Sequence, residues 1–216
     1  MGEQRESFEG LSLTWNIRER SLTMEALNLM DYPIRSNSGQ YTIEEVSRME
    51  NHAELVDGKL IITDKTTVTH QRAVREIVRA LEQFIRSNKG GCEVFAENIA
   101  LYCNELCDST DNFFLPDVMS VCDKSGIKDD GVHTAPRFVA EITSVSTRKQ
   151  DYIEKMAVYA KIGVQEYWVV DLQRKIVVRY LKDNDFIPEM VSYSLSSSIP
   201  VHTYPNLEID LSGIFE

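Results

Sequence analysis

Asp117 follows Pro116 and opens the apolar run Val118 to Val121, Glu141 closes the run Phe138 to Ala140, and Glu54, second in the stretch AELVDGKLIIT, opens a hairpin. A carboxylate at the edge of a buried strand is unfavourable unless it is paired or binds a metal. Two neighbouring strands that each end in one can hold a single hard cation, Mg²⁺ or Mn²⁺, with the main-chain carbonyl of Ile142 and waters completing the shell. Such an ion polarises a phosphate and lowers the pKa of a water. The implied chemistry is metal-assisted attack of water on a phosphate; Glu54 could join the metal site or merely begin a strand.

Asp151, Lys155 and Tyr159 are spaced four apart, which places them on one helical face. The expected apolar face, Ile153, Met156, Ala157 and Ala160, adjoins it, so Lys155 is expected at the edge of the core. There its ammonium could face an attacking water or a developing phosphate charge. It could equally pair with Asp151 or Glu154 on a solvated face, and in either case its loss should alter stability little. His70 stands beside Thr69 at the head of a long helix and could cap it or touch substrate. Arg72, Arg75 and Arg79 share a helix face and, with Arg148 and Lys149, are the candidate contacts to a phosphate backbone. Tyr159, Tyr167 and Trp168 read more simply as core aromatics. Ser144 and Ser146 lack a nucleophile-elbow motif, which counts against a serine hydrolase.

The elements that must position these groups are legible from periodicity. Thr42 and Glu45 form a capping box for a short helix reaching about residue 51. Asp57-Gly58 between two apolar runs signals a tight hairpin. Residues 69–88 alternate a face of Val74, Ile77, Val78, Leu81, Phe84 and Ile85 with one of Arg75, Glu76, Arg79 and Glu82, and Gly90-Gly91 ends that helix. Strand-like runs follow at 93–96, 99–103, 115–121 and 138–142. A helix over 148–162 is stopped by Gly163, and strands at 166–171 and 176–181 come next. This order predicts an α/β fold with a mixed sheet flanked by helices.

The chain of 216 residues suits one domain with a substantial core. Residues 1–40 read as an N-terminal extension with a weakly amphipathic, helix-like stretch at Leu22, Ala26, Leu27 and Met30 and a Ser-Asn-Ser-Gly linker, and residues 41–216 as the domain. No run of about 18 apolar residues offers a membrane span, and no apolar leader opens the chain, so a cytoplasmic protein is expected. Cysteines 92, 103, 107 and 122 lack zinc-site spacing and are expected to be reduced, mostly buried thiols. The net charge of −11 runs against a general nucleic-acid binder, although carboxylates that hold a metal contribute to it.

The ordered set of ELVDG at 54–58, His70, PDV at 116–118, VAEITSVST at 139–147, D-x3-K-x3-Y at 151–159 and GVQEYWVVD at 163–171 resembles the Uma-type family. That family falls within the restriction-endonuclease-like, or PD-(D/E)XK, superfamily of nucleases. The resemblance runs from Tyr41 to LEIDLSGIF at the C-terminus. It implies a restriction-endonuclease-like core, with Asp117 and Glu141 as the paired acids, Glu54 as an additional one, and a Mg²⁺-dependent endonuclease acting on DNA. The lysine that the superfamily places two residues after the second acid is Thr143 here, and the resemblance assigns its role to Lys155. Duplex cutting further implies a homodimer. A nuclease-like fold that no longer cuts and serves as a binding or assembly module stands as the alternative.

Overall fold

The computed structural model describes residues 41–49, 52–62, 66–107, 112–194 and 196–216, together with three N-terminal strands. Those strands, β1 (Arg5–Phe8), β2 (Leu11–Asn16) and β3 (Ser21–Met24), pair antiparallel in order. Leu22 therefore lies in a strand rather than a helix, consistent with the polar–apolar alternation of Ser21 to Met24. Ala26, Leu27, Met30 and the expected linker lie outside the described residues.

Thr42 caps α1 (Ile43–Ser47), and the box closes reciprocally: Glu45 N donates to Thr42 Oγ1 at 3.2 Å and Thr42 N donates to Glu45 Oε2 at 2.8 Å. The hairpin of β4 (Ala53–Val56) and β5 (Lys59–Ile62) turns on Asp57 and Gly58. Both have positive φ, 49° and 73°, as a two-residue primed turn requires. The long helix α2 (Val68–Ser87) starts ahead of the position that the His70–Thr69 pairing suggests, because Thr67 is its cap and accepts from His70 N. Its buried stripe is Ala73, Val74, Ile77, Leu81 and Ile85.

The next strands are β6 (Glu93–Ala96), β7 (Leu101–Tyr102), β8 (Phe113–Phe114), β9 (Val118–Val121), β10 (Ile127–Lys128), β11 (Gly131–Val132) and β12 (Phe138–Thr143). A π-helical segment, Gln150–Lys155, continues directly into α3 (Met156–Ile162). After Gly163, at φ 92°, come β13 (Glu166–Asp171), β14 (Ile176–Leu181) and β15 (Glu189–Ser192). The chain closes with β16 (Ser198–Pro200), β17 (Glu208–Asp210) and α4 (Ser212–Phe215).

One six-stranded sheet has the order β15-β14-β13-β12-β9-β6 and a second has β10-β11-β7-β8-β4-β5. The central pair β12–β13 is parallel and its flanking pairs are antiparallel, giving the mixed α/β architecture that the element order predicts. Period-two alternation sorts each central strand between two cores. Phe138, Ala140, Ile142, Trp168 and Val170 pack with α2 and the C-terminal segment. Val139, Tyr167 and Val169 pack on the other side with α3 and the second sheet. Glu141 shares the parity of Val139, so it faces α3. Among the described residues no helix is long and apolar enough to cross a membrane.

Two of the four cysteines depart from the reduced state expected. Cys92 and Cys122 form a disulfide, whereas Cys103 and Cys107 are free and buried. The bonded pair sits one step beyond Glu93↔Val121 in the β6–β9 ladder, so strand register brings together residues 30 apart in sequence. Disulfides are uncommon in reducing compartments, a point against the cytoplasmic expectation.

Candidate active site

Lys155 occupies the middle of a buried acidic cluster. Its Nζ donates to Glu54 Oε1 at 2.9 Å and to Glu141 Oε1 at 3.0 Å, with Asp151 Oδ1 at 3.8 Å. The side chain lies in the interior, 6% exposed, not at the core's edge as the helical spacing suggests. The apolar face expected from Ile153, Met156, Ala157 and Ala160 is correspondingly not the buried one, and Ala157 is exposed. Instead the inward stripe is Asp151, Lys155, Val158, Tyr159 and Ile162. Steps of four residues overshoot an α-turn by roughly 40°. The wider π turn over 150–155 offsets that drift and keeps Asp151, Lys155 and Tyr159 in one row. Phe114 lies 5.6 Å beneath the ammonium.

Each carboxylate is held by a separate element. Glu54, on β4, also accepts from the Leu115 amide at 2.7 Å, so its side chain does more than begin a strand. Glu141 accepts from Tyr159 Oη at 2.6 Å through Oε1, and from the Asp117 amide at 3.4 Å through Oε2. Asp117 directs Oδ2 at the Ile142 amide, 2.7 Å away, and Oδ1 at His70 Nε2, 3.0 Å away. The Thr143 and Thr147 hydroxyls, 3.3 Å from one another, pull the Asp151 carboxyl downward against its burial.

A second group opens from Asp117 toward solvent. His70 Nε2 lies 3.6 Å from Glu97 Oε1, and Gln71 Nε2 donates to both Glu97 oxygens at 2.7 and 2.6 Å. Nε2 of His70 and one oxygen each of Glu97 and Asp117 all fall within 4.8 Å of one another. Glu97 leaves β6 with φ 39°, and its amide donates to the Asp117 carbonyl at 3.2 Å. Nothing in residue type or spacing singles out Glu97; only this left-handed turn aims it into the site.

The electrostatics follow from an excess of acids over bases in a dry space. Burial pushes the Asp151 carboxyl up to about 6, against the opposing pull of Lys155. Burial likewise raises Glu141 well above the carboxylate range, with Asp117, Asp151 and Glu54 adding to the rise and Lys155 opposing it. Lys155 itself stays charged: burial disfavours the ammonium, but Glu141, Glu54 and Asp151 outweigh it. Burial also opposes the charge of His70, and the hydrogen bond and charge of Asp117, with Glu97 and Asp151, overcome it and raise its pKa. One ammonium among three buried carboxylates leaves negative charge that a proton or a cation can relieve. Asp117, Glu141 and a main-chain carbonyl such as that of Ile142 are oxygen donors suited to a hard divalent ion.

The surface candidates fare differently. Arg148 donates to both carboxylate oxygens of buried Asp171, at 3.0 and 3.2 Å, and to Gln173. Lys149 pairs with Glu154 and Arg79 with Glu76. Arg72 and Arg75 are exposed on α2. Tyr167 and Trp168 are core residues, as expected, whereas Tyr159 is both core and a donor to Glu141.

Comparison with known proteins bears on the family and the fold. Residues 41–212 match the model of the Uma2 family, described as "putative restriction endonuclease". The fold is similar to the crystal structure described as "a putative nuclease belonging to DUF820" from Anabaena variabilis, with a TM-score of 0.66 and 18% identity over 81% of this chain and 97% of that one. No curated protein matches the sequence.

Proposed function

The chain belongs to the Uma2 family of restriction-endonuclease-like proteins, and from that premise we propose that it hydrolyses phosphodiester bonds in DNA with the help of Mg²⁺ or Mn²⁺. The observation that carries this reading is the buried Lys155 bridging Glu54 and Glu141, beside an Asp117 whose amide bonds Glu141. Asp117, Glu141 and the Ile142 carbonyl would hold the cation. A bound cation supplies Lewis-acid polarisation of the phosphate and a lowered pKa for the attacking water.

The protein's own groups do the remaining work. Lys155 spends two N–H bonds on Glu54 and Glu141, leaving the third for a phosphate oxygen or the attacking water. Its charge, held by surrounding carboxylates, needs no reorganisation as negative charge develops on the phosphate. Tyr159 fixes the Glu141 carboxylate through a hydrogen bond of 2.6 Å, and the Ile142 amide fixes Asp117, so both acids are preoriented. Arg72 and Arg75, exposed on α2, are candidate contacts to the sugar-phosphate backbone, and a homodimer would present two such sites to a duplex.

The test is cleavage of supercoiled and linear duplex DNA, single-stranded DNA and RNA by purified protein with Mg²⁺ or Mn²⁺. Wild type should cut a DNA substrate, EDTA should stop it, and Asp117→Asn should lower the rate by a factor of about 10² or more. Cutting that survives Asp117→Asn, or no cutting of any substrate, would overturn the reading. A specific observation favours the binding-module alternative: Arg79, Arg148 and Lys149 are all engaged by acidic residues in a chain of net charge −11. DNA binding with no cutting under any cation is its signature.

A further inference from the structure

We infer that His70, Glu97 and Asp117 form a second cation position, distinct in chemistry from the all-oxygen one of Asp117 and Glu141, and that it takes a divalent transition-metal ion. This rests on the proposed function only through Asp117, which would bridge the two positions.

Three separate parts of the fold converge here: the first turn of α2, the residue following β6 and the residue preceding β9. Donor atoms about 2.1 Å from one ion stand roughly 3.0–3.4 Å apart when adjacent and about 4.2 Å when opposite. The observed separations, 3.0 Å for His70–Asp117 and 3.6 Å for His70–Glu97, with all three donors within 4.8 Å, need only small closure. Each carboxylate ligand is oriented by a group outside the trio, Glu97 by Gln71 and Asp117 by the Ile142 amide. The side chains are 16%, 19% and 14% exposed, so an ion and its waters can reach them more readily than they reach the Lys155 cluster.

The donor set fixes the class of ion. Imidazole is a good ligand for Co²⁺, Ni²⁺ and Zn²⁺, a weaker one for Mn²⁺ and a poor one for Mg²⁺, which prefers oxygen. Binding requires an imidazole nitrogen free of its proton, so the proton on Nε2 passes to solvent as the ion enters. Ions that share a bridging carboxylate in two-metal sites sit about 3.5–4 Å apart, which would put this position on the solvent side of the first. The competing state is a His–carboxylate ion pair that binds no metal.

Pulsed electron paramagnetic resonance on the full chain loaded with Mn²⁺ separates the two. Wild type should show ¹⁴N coupling from one imidazole, and His70→Asn should remove it. By calorimetry, His70→Asn should weaken Co²⁺ binding by about tenfold or more while changing Mg²⁺ affinity by less than about twofold. Absence of the coupling in wild type, which needs no variant, overturns the inference. So does its survival in His70→Asn, which would point to His52, His133 or His202, or an equal loss of Co²⁺ and Mg²⁺ affinity. No ¹⁴N coupling alongside Mg²⁺-dependent cutting leaves the proposed function standing without this site; coupling in a protein that cuts nothing does the reverse.

Discussion

Lys155 and Glu54 lie 101 residues apart in the chain and 2.9 Å apart at Nζ and Oε1, both buried. A buried ion pair is retained at a high desolvation cost, and removing one partner strands the other. Here the stranded groups would be three carboxylates.

Lys155→Ala should therefore destabilise the protein by about 3–5 kcal/mol as well as abolish catalysis. Thermal melts in EDTA would measure it. A partial rescue by Lys155→Met combined with Glu54→Gln, which removes charge from both sides, should accompany the loss. An unchanged melting temperature for Lys155→Ala would show that the cluster is not held together as described.

Stability without metal should fall as pH rises through the range set by Asp151. Its pKa is raised from 3.8 to about 6 in the folded protein, so the protonated acid favours folding. That contribution is fully present below about pH 4 and is lost as pH rises past 6. Mg²⁺ replaces the lost proton as the source of positive charge, so its stabilising effect should be larger at pH 7.5 than at pH 5. Melting curves at the two pH values, with EDTA or about 10 mM Mg²⁺, check this; an equal or larger metal effect at pH 5 would contradict it.

The Cys92–Cys122 bond closes a loop of 30 residues, for which chain entropy gives about 3–4 kcal/mol. Reduction, or Cys92→Ser with Cys122→Ser, should lower stability by up to that amount. Thiol titration without reductant should find almost no fast-reacting groups in the native protein and two after denaturation, Cys103 and Cys107. Four after denaturation would mean the bond does not form.

The regular elements were legible in the sequence wherever periodicity or turn chemistry was strong. The Thr42–Glu45 box, the Asp57-Gly58 hairpin, α2 and the strands at 166–171 and 176–181 all stand where those signals place them. Asp117, Glu141 and Glu54 could be named as candidates because carboxylates near apolar runs violate ordinary burial, and Lys155 from its spacing with Asp151 and Tyr159 and from the family resemblance; the structure brings these four into one cluster. Glu97 could not be named, because a residue after a strand acquires its direction from a positive φ that Glu does not advertise. Register hid the disulfide, and the π segment hid the depth of Lys155, since a regular α period puts Ile153 and Ala157 inward instead. The affinity of Asp171 for Arg148 was invisible for the same reason: β13 and the start of the π segment meet only in three dimensions.

A homodimer is the last expected outcome. Duplex DNA has local two-fold symmetry, and two copies related by a two-fold axis can address both strands. Charge sharpens the case. A subunit of net charge −11 meets DNA with overall repulsion, and three of its five candidate phosphate contacts are neutralised within the fold. Two copies set with their α2 faces toward one groove would concentrate the remaining pair, Arg72 and Arg75, four guanidinium groups in all, around the substrate. Val68 and Val145, each 69% exposed, follow Thr67 and Ser144 on segments that lead into His70 and Lys155, apolar positions that a subunit contact could cover. Sedimentation equilibrium at micromolar protein should give about twice 24.7 kDa. Arg72→Glu with Arg75→Glu should weaken DNA binding and flatten its salt dependence without changing that mass. A monomer across the whole range would reject the dimer and shift the substrate toward single strands.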